Sequence, residues 1–512
     1  MAVRPVTALS GIAVVMMLIA LDQTVVGTAL PQIVSELQGF GLYPWVAASY
    51  LLTNAILIPV TGRLGDLYGR KSFLLAAIAL FTAASVLCGL SGSMLQLVLA
   101  RGLQGIGGGM LIGSAFASVS DLFPDTLERI RWQVVLTATF GIASGLGPLL
   151  GGVMTEHLGW RSVFFVNLPV GLLALPVVWR FLPRIVHPHE EMKAIDWWGV
   201  LLLTLATAIL LFTTELGDQL GFMSPAFWGL IVLSMAFWAG FVYHQRHTEG
   251  PVIPPKLFED PAVRHLAVLS ALTGLSMFVL IFYSPLLLQG GFAMSPKEAG
   301  LVITPLMVGI TVGSIFNSRL IPRMRYPERL FSYGVLLFIA TLVALCLADS
   351  ETPAWLLSVD FAVCGLSLGF QLPNLTLQMQ AAVHRSHQGA ASALIQTLRS
   401  LGSMLGASFA GLLVSLGFNN QVNLALADLG LADKAIKLLF HSPQILLRTT
   451  DQIALKVLSQ QLIFDSDALL ARARDGLLTG IHGALIGCML LAVASFILGR
   501  RLPPFVHHSI EP

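Results

Sequence analysis

Charge is scarce in this sequence. Only 11% of its 512 residues are Asp, Glu, Lys or Arg, where soluble domains carry roughly 25%. A chain with so little charge lacks the polar surface a soluble protein of this length needs. Cysteine is nearly absent as well. Cys88, Cys346, Cys364 and Cys488 each sit inside an apolar run, with no CxxC pair, which excludes a disulfide framework or a zinc site. No GxxxxGK[ST] phosphate loop and no HExxH metal motif occurs, so a primary pump or a metalloenzyme is disfavoured. GxGxxG readings of the glycine clusters fail at Met110 and Leu150. No basic block with interleaved aromatics points to nucleic acid, and the net charge of +2 says little about partners. No small-x-small cleavage site follows the first apolar run, so that run is expected to be a retained span.

Apolar length is what the chain has. Hydrophobic residues make up 55% of it, and the mean hydropathy is +0.80. Runs near 20 apolar residues recur throughout, each able to cross a ~30 Å hydrocarbon core as a helix. The runs are continuous and do not alternate, which favours helices over a membrane barrel. Spans are expected at 9–31, 43–61, 73–91, 95–118, 132–154, 163–182, 195–215, 225–243, 263–289, 298–320, 329–349, 354–378, 389–417 and 477–499. An even count puts both termini on one side. With that side cytoplasmic, nineteen Lys and Arg fall on inner loops, tails and helix ends, and two, Arg161 and Lys297, on short outer loops. That bias fixes the orientation.

Faint echoes relate the two ends of the chain. "ARGLQGIGGGMLIG" resembles "CGLSLGFQLPN" in glycine rhythm, and "TGRLGDLYGRK" has a degraded counterpart in "NSRLIPRMRYPER". They divide the chain into six spans at 1–182, two inserted spans at 183–262, and six more at 263–512. Parallel repeats of this kind are common in transporters. One sizeable outer segment, 418–476, carries six basic and six acidic residues in a helical rhythm. It is read as amphipathic helices on the membrane or on the ends of the spans. Docking to a periplasmic adaptor protein is the alternative.

Asp22 is the residue that composition makes conspicuous. A charge at the bilayer centre costs about 2.5–3.5 kcal/mol on insertion scales, so such a residue is a functional candidate by default. Asp22 lies about 14 Å inside the outer end of its span, and Arg101 about 9 Å inside the outer end of its own. In the fifth span Gly141 and Gly145 are four apart, as are Gly147 and Gly151, a spacing that permits close helix contact. Pro148 lacks the N–H that would bond the Ser144 carbonyl and is expected to bend the helix.

"LDQTVVGTALPQI", "GRLGDLYGRK", "LARGLQGIGGG", "GIASGLGPLLGG" and "GWRSVFFVNLPVG", followed by "FYSPLLLQ" and "AGLVITP", resemble the signature motifs of the major facilitator superfamily. More narrowly they resemble its fourteen-span drug:proton antiporter branch, the multidrug exporters. Gly27 departs from the Asn usual in the first motif, which alters a polar position and puts substrate preference in doubt. The resemblance implies an all-α fold of two six-helix bundles plus two inserted helices. It implies proton-coupled export of small amphipathic molecules across a bacterial inner membrane, with protons, lipid and a small-molecule substrate as partners. No enzyme activity, metal or cofactor is expected, the proton gradient supplying the energy. A same-fold exporter of a lipid, siderophore or metabolite is the alternative, and a membrane-embedded enzyme a further one.

The resemblance also assigns roles. Asp22 and Arg101, neighbours in such a fold, would couple to protons; the bland alternative is a static ion pair joining two helices. Gly62, Gly65, Asp66, Gly69 and Arg70, with Asp121 as a partner for Arg70, would form an inner gate, Asp66 capping a helix of the opposite half. Gly141, Gly145, Gly147, Pro148 and Gly151 would mark an exporter's rocking helix, or only a packing seam. Apart from the resemblance, their place inside spans makes Gln23, Gln104, Tyr283, Asp360, Gln371, Asn374 and Arg399 candidates for the substrate cavity, with Asp360 and Arg399 a potential second pair and Tyr283 equally a core or lipid-facing residue.

Overall fold

The computed structural model describes residues 5–502 except 69, 124–125, 184–195, 221–223, 249–250, 252–254, 325, 350, 384–387, 429–435, 437–438, 441–442 and 463. Among the described residues there is no strand. Apolar runs this long leave the backbone no partner but itself, and the chain satisfies it in helices. Those of fifteen or more residues are α1 (Pro5–Leu37), α2 (Tyr43–Tyr68), α3 (Arg70–Gly89), α4 (Met94–Leu122), α5 (Thr126–Leu158), α6 (Asn167–Phe181), α7 (Trp197–Leu220), α8 (Pro225–His247), α9 (Pro261–Leu286), α10 (Pro296–Leu320), α11 (Arg329–Leu347), α12 (Ala354–Ala381), α13 (Gln388–Asp428) and α14 (Ser466–Gly499). Twelve segments among the described residues are long and apolar enough to cross a membrane. The remaining two, α5 and α7, fall outside that measure, α7 contributing a shorter apolar run, Trp197–Leu210. The chain is a multi-pass membrane protein.

Several starts are written locally. Ser224, Asp260 and Ser295 each precede a proline, and each side chain accepts a hydrogen bond from a first-turn N–H of α8, α9 or α10. Proline at the first helical position gives up a donor that would have no partner there, while the cap supplies an acceptor for another. Ser295 and Glu298 complete a reciprocal capping box.

α1–α6 pack mainly on one another, and so do α9–α14. The pair α7 and α8 pack together, and α7 also touches α2 and α13. The two groups meet along α5 with α10 and α2 with α13, and where α1 touches α9. At the end of the molecule that carries the α1–α2 and α9–α10 turns, hydrogen bonds cross between the groups. The Tyr43 hydroxyl donates to the Phe282 carbonyl at 2.8 Å, Gln289 Nε2 to the Thr28 carbonyl at 2.9 Å, and the Lys297 N–H to Glu156 Oε2 at 3.1 Å.

Two expected loops are shorter than the sequence suggested. α2 continues to Tyr68 and α3 begins at Arg70, so most of "GRLGDLY" is helix. α13 runs on to Asp428 and α14 starts at Ser466, so the ends of the 418–476 segment extend these two helices. Between them Thr449–Leu462 is a separate helix. A turn at Pro443–Leu446 is buried, and its Gln444 Nε2 donates to the Val34 carbonyl of α1 at 2.5 Å.

Candidate functional site: a buried carboxylate network

The glycines of "GLQGIGGG" determine how α4 sits. A Cβ at Gly105 would collide with the Tyr50 carbonyl, one at Gly109 would lie 2.6 Å from the Asn54 carbonyl, and one at Gly107 2.8 Å from the Phe81 N. Without side chains there, α4 seats its backbone directly on α2 and α3. That seating carries Arg101 and Gln104 into the centre of the first group, level with Asp22 on α1.

The three side chains meet. Arg101 Nη1 donates to Asp22 Oδ2 at 2.7 Å, and Gln104 Nε2 to Asp22 Oδ1 at 2.7 Å. Asn167 Nδ2, at the start of α6, donates to the same Oδ1 at 2.9 Å. Both amides also donate to Ser85 Oγ of α3, at 2.5 and 3.1 Å. Gln104 Oε1 accepts from Arg101 Nη1 at 2.6 Å and from Cys88 Sγ at 3.5 Å. Arg101 Nε reaches the Val46 carbonyl of α2 at 3.2 Å, and its guanidinium lies 4.4 Å from the centre of the Tyr50 ring. Both side chains of the ion pair are at most 1% exposed.

A buried ion pair survives only when its remaining donors and acceptors are used. Here both carboxylate oxygens accept, and the guanidinium is held by a carboxylate, an amide, a carbonyl and a ring face. Asn167 and Ser85 were not anticipated from the sequence. Asn167 lies within the quoted "FVNLPVG", and an amide at the head of an apolar helix was the available signal. Gln23 follows Asp22 but is only half-buried and reaches the Tyr50 hydroxyl.

The fifth-span glycines divide between two neighbours. Cβ atoms at Gly147 and Gly151 would strike Thr24, Thr28 and the Val25 carbonyl of α1, while one at Gly141 would come within 2.8 Å of Thr311 Oγ1 and one at Gly145 within 3.4 Å of Val308, both on α10. Gly300 on α10 approaches the carbonyl of Pro148, a Cβ there lying 2.5 Å away. α5 is continuous through Pro148. One helix is thus close-packed within its own group on one side and against the other group on its other side.

The second-group candidates do not converge. Asp360 and Arg399 do not pair: Arg399 Nη2 bonds Gln396 on its own helix, and Asp360 Oδ2 has no partner. Tyr283 is buried beside Tyr43 and donates to the Ala407 carbonyl at 2.9 Å. Gln371 and Asn374 are buried within the second group, Asn374 Nδ2 donating to Asn317 Oδ1 at 2.7 Å. Of the gate residues, Arg70 opens α3. Gly62, Gly65 and Asp66 fall in the last turns of α2, with their surroundings outside the described residues, as are Gly69 and the side chain of Asp121. No group of three or more His, Cys, Asp or Glu able to hold a metal occurs among the described residues.

Residues 12–407 match the Major Facilitator Superfamily. The chain belongs to that superfamily. It is 30% identical over 489 residues to Multidrug resistance protein 3 of Bacillus subtilis (strain 168), covering 94% of this chain and 92% of that one. It is 30% identical over 406 residues to the Multidrug transporter protein MdtP of the same organism, covering 79% and 74%. Among solved structures, a bacterial homolog of the human lysosomal transporter Spinster, in an inward-facing unoccupied conformation, superposes with a TM-score of 0.67 at 17% identity over 97% of both chains. This facilitator therefore has the fold and relatives of a membrane transporter, and the expected all-helical architecture is the observed one.

Proposed function

We propose that this transporter exports small amphipathic molecules in exchange for protons across a bacterial cytoplasmic membrane, with fourteen spans and both termini cytoplasmic. The observation that carries the reading is the Asp22–Arg101–Gln104–Asn167 network, a carboxylate placed inside the first helix group at a cost that packing alone does not require.

The chemistry follows from the alternatives open to each partner. When Asp22 takes a proton, Arg101 keeps the Val46 carbonyl, Gln104 Oε1 and the Tyr50 ring. Those contacts keep its hydrogen bonds satisfied but leave its charge without a counter-ion, a cost that favours release of the proton once the site can exchange it. Gln23, half-buried beside Asp22, reaches the Tyr50 hydroxyl, and the Tyr50 ring lies over Arg101. Substrate would bind between the two helix groups while their cytoplasmic side is open. The bonds from Tyr43 to Phe282 and from Gln289 to Thr28 join the two groups at the other end, which in this reading is the outer end and would be closed in an inward-facing state. Rocking about the α5–α10 seam would then open that end, substrate would leave, and Asp22 would be protonated. The return movement would release the proton inward.

The test is a pair of transport assays on purified protein in liposomes, with a fluorescent organic cation as substrate. Wild type should concentrate the dye against its gradient when a pH gradient is imposed, and should exchange dye across the membrane without one. Asp22→Asn should keep the exchange and lose the pH-driven accumulation. Undiminished pH-driven accumulation by Asp22→Asn overturns the reading.

A further inference from the structure

The second helix group contains polar atoms that the proposed transport cycle does not use. Asp360, Cys364, Ser367, Gln371, Asn374 and Gln378 recur along α12 at intervals of three and four residues. At 100° per residue they occupy a single face of the helix. From Asp360 to Gln378 is eighteen residues, about 27 Å along the axis, close to the ~30 Å thickness of a hydrocarbon core. The face points inward: Gln371 and Gln378 are 3% and 6% exposed, and Cys364, Ser367 and Asn374 are fully buried.

Hydrogen bonding on this face is incomplete. Asp360 Oδ2, Gln371 Nε2, Asn374 Oδ1 and Gln378 Nε2 have no partner, and neither do Asn317 Nδ2 on α10 and Thr273 Oγ1 on α9. Asn374 and Asn317 make one bond with each other and leave one atom each unused. Buried polar atoms are rarely left so, because losing water without a replacement is costly. Around Gln371 there is space as well. Thr273 and Ser276 of α9, Gln371 of α12 and Ser495 of α14 line a cavity that admits a water-sized sphere and offers it several polar neighbours.

We propose that the second helix group binds ordered water along this face of α12, one molecule at Gln371 and Thr273 and others at the Asn317–Asn374 pair and at Gln378. The ligand is water because the orphans at these places are amides and a hydroxyl, and no charged side chain is among the residues that line the cavity at Gln371. The water hydrates the polar face of α12 inside the second group, apart from Asp22. This inference does not depend on the antiport reading.

Radiolytic hydroxyl labelling of the full-length protein in detergent tests it, since bound water converts to hydroxyl radical where it sits and marks the adjacent side chain. Phe338 of α11 lines the cavity at Gln371, and Phe418, fully buried on α13, serves as the dry control of the same chemistry. Phe338 should label several-fold faster than Phe418. Gln371→Leu, similar in size, should abolish most of that excess and leave the melting temperature unchanged or lower. Equal, slow labelling of Phe338 and Phe418 in the wild type overturns the proposal. So does a Gln371→Leu protein that melts higher than wild type, because removing a donor that had no partner would then relieve a penalty. Fast Phe338 labelling that survives Gln371→Leu also overturns it, by placing the water elsewhere.

Discussion

Asn167 and Gln104 donate to the same oxygen, Asp22 Oδ1, from opposite helices, α6 and α4, at 2.9 and 2.7 Å. The carboxylate is thereby fixed on the side away from Arg101. Asn167→Leu removes one of those donors and one of the two bonds to Ser85. Deleting a buried hydrogen bond to a charged group costs about 1.5–3 kcal/mol, so the variant should melt lower than wild type, with Asn167→Gln closer to wild type. Scanning calorimetry or a thiol-dye melt in detergent reads the difference, and an Asn167→Leu protein as stable as wild type would show that Gln104 alone suffices.

Removing either partner of the pair leaves the other buried and uncompensated, which typically costs 3–5 kcal/mol. Arg101→Leu and Asp22→Leu are each expected to be strongly destabilised. The double variant Asp22→Leu, Arg101→Leu should recover most of the loss while remaining inactive in pH-driven transport. Melting temperatures of the three proteins, compared as a double-mutant cycle, check this. Recovery of stability without recovery of coupling would separate the functional use of the pair from any role in holding helices together.

How much of this site could be read without coordinates follows from its physics. Asp22 and Arg101 were legible because charge in an apolar run is conspicuous and depth follows from 1.5 Å per residue. Gln104 was legible as a polar residue inside a span, but it was assigned to the substrate cavity, whereas it donates to Asp22 and accepts from Arg101. Asn167 and Ser85 were not, because small neutral polar groups are ordinary in membrane helices and only their azimuth shows that they face Asp22. The same missing azimuth explains the pair that does not form. Asp360 and Arg399 have suitable charges on successive helices, but Arg399 bonds Gln396 one turn back on α13. Gln371 and Asn374 were placed by polarity in a cavity between the halves, whereas they point into their own group. The loop at 62–72 was overestimated because glycines and charges mark helix ends by composition, yet α2 keeps its backbone bonds through them.

The α5 glycines allow packing within a group to be separated from packing between groups. Gly151→Ala places a methyl 2.6 Å from the Val25 carbonyl of α1, and Gly152→Ala places one 2.5 Å from the Pro296 carbonyl of the other group. Overpacking costs about 1–3 kcal/mol where backbone must move. Gly151→Ala should therefore lower the melting temperature. Gly152→Ala should instead part the two groups where Gln289 meets Thr28. A cysteine pair introduced at Thr28 and Gln289 should cross-link less readily in the Gly152→Ala background than with Gly152 intact.

The turn between α11 and α12 carries a pH response outside the membrane helices. The Thr352 hydroxyl donates to Asp349 Oδ1 at 2.9 Å, and the Glu351 N–H to the same oxygen at 3.0 Å. These bonds favour the ionised form, first that from Thr352, and hold Asp349 below the ordinary value of 3.8. A carboxyl lowered in the folded state contributes order that is complete above its unfolded value and is lost as pH falls through its folded one. Amide exchange at Glu351 and Thr352 should accelerate, relative to the intrinsic rate, only at pH below 3.8. Thr352→Ala should move that acceleration to higher pH, and Asp349→Asn should remove it.

Asp196 joins the two helices of the inserted pair at one end. Its Oδ1 accepts from the Gly199 N–H at 2.8 Å, capping α7, while His244 Nε2 lies 2.6 Å from the same oxygen and Gln245 Nε2 donates to Oδ2 at 2.5 Å from the last turn of α8. An acid at a helix start and a histidine at a helix end each suit the local dipole. Loss of a cap alone costs about 0.5–2 kcal/mol, and Asp196→Ala also removes the link to α8. Its cost should therefore exceed that of His244→Ala, with Asp196→Asn between them because an amide oxygen still caps Gly199. The pair α7 and α8 supplies none of the groups around Asp22, so pH-driven transport per folded molecule should be unchanged in all three variants. Thermal melts set beside transport normalised to folded protein decide this, and a selective loss of transport in Asp196→Asn would instead place the inserted helices within the transport cycle.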